Sequence, residues 1–368
     1  MIQSVPFYPL KKILEASAHE LSAAFNRILS DGLFVLGQDL ISFENSFASF
    51  IGSQHCVGVA SGHDALLLSL KAIGIGVGDE VIVSSHTFAS SWLAIMQAGA
   101  TPVPIDSDPI TRNLDIDLII PAITSRTRAI LIVHIYGRPC DMSRIGEIAD
   151  HYGIPVIEDC AQAHGAKFQG NSAGSFGDLG AFSFYPTKTL GCLGDGGAIC
   201  CDSEDHRHLL RSYRNYGSPQ KYIHNLEGGN SRLDNLQAAF LSVRLAQLEN
   251  ELEQRSLVAE TYLAGLCDMD IKLPPRDCEL FKSSWHLFVI EIEDRDAVKM
   301  RLSEAGVETE IHYPTPLHRQ RFSRTLQSKQ RTAFPVTEKI CETCLSLPIW
   351  PGMKEHDTHY VIEQLRKV

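Results

Sequence analysis

Residues 56–74, CVGVASGHDALLLSLKAIG, decide how the chain is read. The apolar run Cys56–Ala60 predicts a strand, Ser61-Gly62-His63-Asp64 a tight turn, and ALLLSLKAIG repeats its apolar residues at helical spacing. The same unit recurs downstream. GDEVIVSS (78–85) predicts a strand and FASSWLAIMQAGA (88–100) a helix. TPVPID (101–106) and DIDLIIPAI (115–123) repeat the pair, as do RAILIVHIYG (128–137) and DMSRIGEIADHYG (141–153). IPVIED (154–159) closes the series, and AFSFYP (181–186) and GGAICC (196–201) add two more strands. Strands alternating with helices of this length imply an α/β fold with a mostly parallel sheet, covered on both faces.

The flanks read differently. Residues 11–30 predict an amphipathic helix that GLFVLG (32–37) breaks, and residues 232–266 predict one long helix with no Gly or Pro before Gly265. Beyond it, SWHLFVIEIED (284–294) reads as a strand, RDAVKMRLSEAG (295–306) as a helix, ETEIHY (308–313) as a strand, and a helix ends the chain. The expected organisation is a large domain over residues 1–240 and a smaller C-terminal α+β domain over residues 241–368.

Composition narrows the function. With 44% apolar and 21% charged types over 368 residues, the chain can fill a sizeable core. Its 33 basic and 44 acidic residues leave a net charge of −11, which opposes binding to a phosphate backbone, so nucleic acid is not an expected partner. No apolar run approaches the roughly 20 residues that span a bilayer. The opening MIQSVPFYPLKK lacks the pattern of a signal peptide, and the expected location is cytoplasmic. Of ten cysteines only Cys341 and Cys344 form a C-x-x-C, read as small buried groups on one helical face. With no second pair, no metal site is expected. Gly74, Gly76 and Gly78 follow a helix and open none, so they predict a turn, not a dinucleotide loop.

The chemistry starts from Lys188, delivered by the turn after AFSFYP and before a glycine-rich stretch, where an amine can reach a carbonyl. Alone it would be a solvated charge. Asp159 ends the strand IPVIED, where α/β sheets gather ligand chemistry, and its carboxylate could keep a pyridine nitrogen protonated. Ser183 lies on the strand preceding Lys188. Gly62 and His63 open a helix whose N–H groups could cradle a phosphate, and Phe88 offers a ring face. In this order the features point to pyridoxal phosphate chemistry.

A resemblance that runs over nearly all of the chain is carried by the stretches SGHDALLLSLKAIGIGVGDEVIVSSHTF, VHIYGRPCDM, VIEDCAQAHGA, GDLGAFSFYPTKTLGCLGDGGAI and NSRLDNLQAAFLSVRLAQLE. In them the chain resembles the DegT/DnrJ/EryC1/StrS sugar aminotransferases, which share the fold type I, aspartate-aminotransferase-like architecture. The resemblance implies pyridoxal 5′-phosphate bonded to Lys188, with Asp159 on its ring nitrogen and Gln162 near its phenolic oxygen. It further implies Ser183 and the Gly62-His63 backbone on its phosphate and Phe88 stacked on its ring. Asn230 would reach the phosphate of the neighbouring subunit, so a homodimer with shared active sites is implied. The family commonly has Thr where this chain has His63; a backbone contact survives that change and a side-chain hydroxyl does not. Relatives that dehydrate carry His at the position of Lys188, so its lysine favours transamination. The implied reaction moves an amino group from L-glutamate to a nucleotide-linked keto sugar.

Trp92 and its surroundings resemble the branch acting on dTDP-3-keto-6-deoxyhexoses; transfer at C4 stays as the alternative. A cofactor-bearing regulatory protein without turnover is a second alternative, and a cysteine desulfurase a more distant third. Tyr185, His312 and Tyr313 are candidate substrate contacts, the latter two also readable as a domain-interface pair. Lys221 and Tyr222 are candidate contacts to the partner's nucleotide.

Overall fold

The computed structural model describes residues 4–323 and 333–367. Its centre is a 7-stranded sheet of β1 (His55–Val59), β2 (Glu80–Ser84), β3 (Thr101–Ile105), β4 (Thr127–Val133), β5 (Val156–Asp159), β8 (Leu179–Ser183) and β9 (Gly197–Cys201). The short strands β6 (Lys167–Phe168) and β7 (Asn171–Ser172) belong to a separate small sheet with β10 (Phe281–Lys282). The order across the large sheet is β1-β9-β8-β5-β4-β2-β3. All neighbours are parallel except β9, which runs antiparallel to both β1 and β8. Every residue of β2 and of β5 is buried. That is the physical cost of a parallel strand: with helices on both faces, neither side can be polar.

The helices between the strands follow the expected alternation: α4 (Gly62–Ala72), α5 (Ala89–Gln97) and α7 (Met142–Tyr152). Ser61 caps α4 by accepting the Asp64 N–H at 3.1 Å, and Asp141 caps α7 by accepting that of Arg144. One face of the sheet is closed by α3 (Gln38–Ile51), whose Phe43 and Phe47 meet Phe182 and Phe184 of the β8 segment edge to face at 5.0–5.4 Å.

A second core lies beyond. There β11 (Phe288–Glu291) pairs antiparallel with β12 (Cys344–Leu347) against α10 (Leu248–Gly265), α11 (Arg295–Glu304) and α13 (Glu355–Leu365). Val5 and Ile13, from the start of the chain, pack into this second core, and Val5 bridges to Val307.

Several expected elements differ. The helix over 11–30 is two, α1 (Leu10–Glu15) and α2 (Ala18–Asp31), because Ser17 leaves helical geometry and donates its hydroxyl to Gln247 at 2.7 Å. The long helix over 232–266 is also two, α9 (Asn235–Leu245) and α10, which turn at Ala246-Gln247. Leu241 and Leu248, on either side of the turn, both pack in the core around Phe43 and Phe47, and α10 runs on from there into the second core through Val258 and Tyr262. DIDLIIPAI forms only a 3₁₀ turn, Ile116–Leu118, and a single turn α6 (Ile119–Ala122). ETEIHY is no strand: only Glu310 bridges to Ser346, and His312 and Tyr313 line a cavity. Cys341 and Cys344 are both buried but do not share a helix, since α12 (Pro335–Thr343) ends between them. Helix α8 (Glu204–Tyr213) begins at a Ser203 cap.

Candidate active site

A cavity of about 420 Å³ opens where β5 and β8 end and α4 begins. Each element delivers one chemical group. Asp159 is the last residue of β5, Ser183 the last of β8, and Gly62 and His63 the first of α4. Lys188 comes from the turn after β8, while His312 and Tyr313 enter from the side of the second core; all line the cavity. Glycine is required where α4 meets β8, because a Cβ at Gly62 would lie 2.4 Å from the Ser183 Cβ. Bare backbone therefore faces the cavity at the positive end of a helix.

Asp159 is buried and holds fixed bonds on both oxygens, accepting the Ala161 N–H at 3.1 Å and the Ser91 hydroxyl at 2.8 Å. Thr87 sits 2.9 Å from Ser91 and backs that hydroxyl. Burial raises the Asp159 carboxyl above the ordinary carboxylate range, against the lowering effect of those donors and of Lys188. Lys188 moves the other way. Enclosure strips water from its ammonium and pushes it down to about 8, although the Asp159 charge pulls it up. Gln162 is clamped, its oxygen accepting the Tyr136 N–H at 2.5 Å and its amide donating to the Tyr313 hydroxyl at 3.0 Å. Burial also lowers His312 to about 4, so it is neutral at physiological pH, with Nδ1 2.8 Å from the Ser346 hydroxyl.

Of the residues expected at the site, Gly62, His63, Phe88, Asp159, Gln162, Ser183, Tyr185, Lys188, His312 and Tyr313 line this one cavity. Lys221, Tyr222 and Asn230 do not. They lie on an exposed loop after α8, where the Lys221 ammonium sits 5.0 Å over the Tyr222 ring and Asn230 bridges to Asn215. Sequence reasoning missed Ser90, Asp195 and His286 on the cavity wall, and Ser91 behind Asp159. Ser90 and Ser91 stand in the helix after Phe88, so the spacing of α5 from β2 was the available signal.

A model of the DegT/DnrJ/EryC1/StrS aminotransferase family matches residues 15–366. The chain belongs to that family. Among its relatives, a dTDP-3-amino-3,4,6-trideoxy-alpha-D-glucose transaminase of Streptomyces venezuelae is 44% identical, over 99% of this chain and 96% of its own. A dTDP-3-amino-3,6-dideoxy-alpha-D-galactopyranose transaminase of Aneurinibacillus thermoaerophilus is also 44% identical, over 99% of both chains. The structure of DesV from S. venezuelae, solved in complex with a ketimine intermediate, superposes with a TM-score of 0.96 at 44% identity, covering 99% of this chain and 98% of that one. This DegT/DnrJ/EryC1/StrS member is thus an aminotransferase of the α/β architecture its sequence implies.

One other cluster has the makings of a metal site. His134, Glu158 and Cys160 bring their ligand atoms within 4.8 Å of one another, all buried. Glu158 is already engaged, accepting the N–H groups of Gly174, Phe176 and Gly177 at 2.7–2.8 Å and His134 Nε2 at 2.9 Å. Burial pushes this carboxyl up, but His134 and the backbone donors outweigh it and hold it below its ordinary value. The group is a structural anchor beneath Asp159. No helix among the described residues is long and apolar enough to cross a membrane.

Proposed function

We propose that the protein is a pyridoxal-phosphate-dependent aminotransferase that moves the amino group of L-glutamate to C3 of a dTDP-linked 3-keto-6-deoxyhexose. The observation that carries this reading is the meeting of Lys188 and Asp159 in one cavity beside the bare start of α4. The residues fit the cofactor. Lys188 is the amine to bond its aldehyde, and Asp159 the buried acid to face its ring nitrogen. The Gly62 and His63 N–H groups, with the Ser183 hydroxyl, suit its phosphate; Phe88 would cover the ring, and Gln162 its phenolic oxygen. Bound there, pyridoxal phosphate supplies a carbon that carries the amino group and a ring that spreads negative charge.

The chain's own groups do the rest. With a pKa of about 8, roughly a tenth of Lys188 is neutral at pH 7, against about one part in three thousand for an ordinary lysine. Its Nζ is the base that takes the proton from the α-carbon of the donor. Asp159, held between Ser91 and Ala161, would be kept in one direction to face the ring nitrogen. Tyr185, His312 and Tyr313 line the same cavity, which supports them as contacts to the sugar.

The sugar assignment is supported by the two relatives at 44% identity, whose names share a 3-amino group on a dTDP sugar and differ at C4. A homodimer with shared sites is supported by an exposed apolar stripe on α2 and the loop after it, including Phe25, Leu29, Leu33 and Phe34; Asn230, Lys221 and Tyr222 would reach the partner's site. A division into a cofactor-binding part over residues 1–240 and a smaller C-terminal part over residues 241–368 is supported by the second core, with Val5 and Ile13 reaching into that core and Leu241 and Leu248 into the first. We assign the enzyme to the cytoplasm, as expected for its nucleotide-sugar chemistry.

Incubation with glutamate and a panel of 3-keto and 4-keto nucleotide sugars, with the new amine located by NMR, tests this. An amine at C3 of a dTDP sugar is expected. An amine at C4 would overturn the regiochemistry, and no amine on any sugar would overturn the substrate class.

A further inference from the structure

His63 stands at the opening of α4, and both of its ring nitrogens are engaged. Nδ1 lies 2.9 Å from the Ser90 hydroxyl and Nε2 2.9 Å from the Gln97 side-chain oxygen. Ser90 and His63 line the same cavity as Ser61, Gly62 and Ser183.

The hydrogen bonds dictate the proton positions. An amide oxygen only accepts, so Nε2 must carry a proton toward Gln97. In the neutral ring Nδ1 then has only a lone pair, and the single proton of Ser90 is spent on it. Ser90 is left showing lone pairs to the cavity, which repel an anion. If the ring takes a second proton, Nδ1–H donates to Ser90 and the Ser90 proton is released toward the cavity. Both existing bonds survive the change.

We propose that His63 and Ser90 form a proton-coupled clamp on the cofactor phosphate: binding of the phosphate draws one proton onto His63, and Ser90 donates its hydroxyl to a phosphate oxygen. The proposal rests on the reading that this pole of the cavity holds that phosphate. No covalent bond changes; the proton comes from solvent. The surroundings permit it. Helix α5 (ASSWLAIMQ) contains no charged residue and meets His63 with the neutral Ser90 and Gln97. Asp64, beside His63 on α4, is engaged by the Ser231 hydroxyl at 2.8 Å. From the other elements at the cavity, Asp159 and Asp195 are the acids, Lys188 the cation, and His286 and His312 imidazoles that burial holds neutral.

The test uses apoenzyme and pyridoxamine phosphate, with dissociation constants measured from pH 6 to pH 9 for the wild type, His63→Gln and Ser90→Ala. Titration of the cofactor's own phosphate affects all three alike and cancels in ratios. Proton uptake at His63 on binding makes wild-type affinity fall as pH rises, by up to about tenfold per pH unit. The wild-type advantage over His63→Gln should therefore shrink by at least tenfold across the range, and Ser90→Ala should lose that advantage as well. A ratio to His63→Gln that stays constant with pH overturns the clamp while leaving the phosphate site standing. A Ser90→Ala protein that keeps the wild-type pH profile overturns the relay through the hydroxyl. Wild-type protein that binds no pyridoxamine phosphate overturns the clamp together with the proposed cofactor.

Discussion

Ser91 and Asp159 come from elements 68 residues apart and meet in a 2.8 Å hydrogen bond, with the hydroxyl donating to carboxylate Oδ2. A buried acid that must hold a cationic ring needs both a fixed direction and a partial negative charge. The hydroxyl supplies the direction, and burial raises the carboxyl so that a proton is readily shared.

Ser91→Ala removes that donor and frees Asp159 to turn. A hydrogen bond to a charged group contributes about 1.5–3 kcal/mol, so kcat should fall about tenfold or more, with the fold intact by circular dichroism. Asp159→Asn, which cannot carry the charge at all, should fall much further. Steady-state kinetics checks both, and equal rates for Ser91→Ala and wild type would remove Ser91 from the site.

Lys188→Met should abolish both turnover and the fixation of cofactor by borohydride, read as the mass of the peptide carrying position 188. It should also stabilise the apoprotein at pH 7. Lys188 has a folded pKa of about 8, below its unfolded value, so folding works against its charge at every pH below 8. That penalty fades as pH rises toward the unfolded value. The Met variant should therefore melt a few degrees higher at pH 7, with the gain shrinking toward pH 10. An unchanged melting temperature at pH 7 would contradict the lowered pKa.

Glu158→Gln puts an amide nitrogen against groups that only donate. One or more of the N–H groups of Gly174, Phe176 and Gly177, or His134, loses its acceptor in the core. The cost is about 3 kcal/mol by urea unfolding. Because the native carboxyl is held below its ordinary value, its contribution is present above the unfolded pKa of about 4.5 and is lost as pH falls further. The variant should accordingly be less sensitive to acid than the wild type.

Replacing Leu29 and Phe34 by Glu on the exposed stripe should shift the protein to monomers in sedimentation and reduce activity with them. Mixed Lys188→Ala and Asn230→Ala subunits should recover part of the activity that each lacks alone. Verified mixed dimers without recovery would exclude a shared site.

The strands between residues 56 and 159 were legible because they are largely or, like β2 and β5, wholly buried, so their apolar runs stand out; the helix expected after β3 shrank to single turns. Lys188, Asp159 and Ser183 were legible because turns and strand ends place them at one edge of such a sheet. Less visible were the breaks at Ser17 and Gln247. Neither holds Gly or Pro, and both exist because of a contact between residues 230 apart. The reading of ETEIHY as a strand failed for a related reason: the apolar-polar alternation is present, but most of the segment has no neighbouring strand to pair with.

Local sequence determined which residues could do chemistry here, because residue type and the ends of elements depend on nearest neighbours along the chain. It determined the sheet in the same way, through the period of its apolar residues. Tertiary structure alone decided which polar groups back the reactive ones: Ser91 on Asp159, Tyr136 and Tyr313 on Gln162, Ser90 and Gln97 on His63. Those pairings depend on how closely separate helices, strands and loops approach, and a hydrogen bond that forms at 2.9 Å is gone at 4 Å.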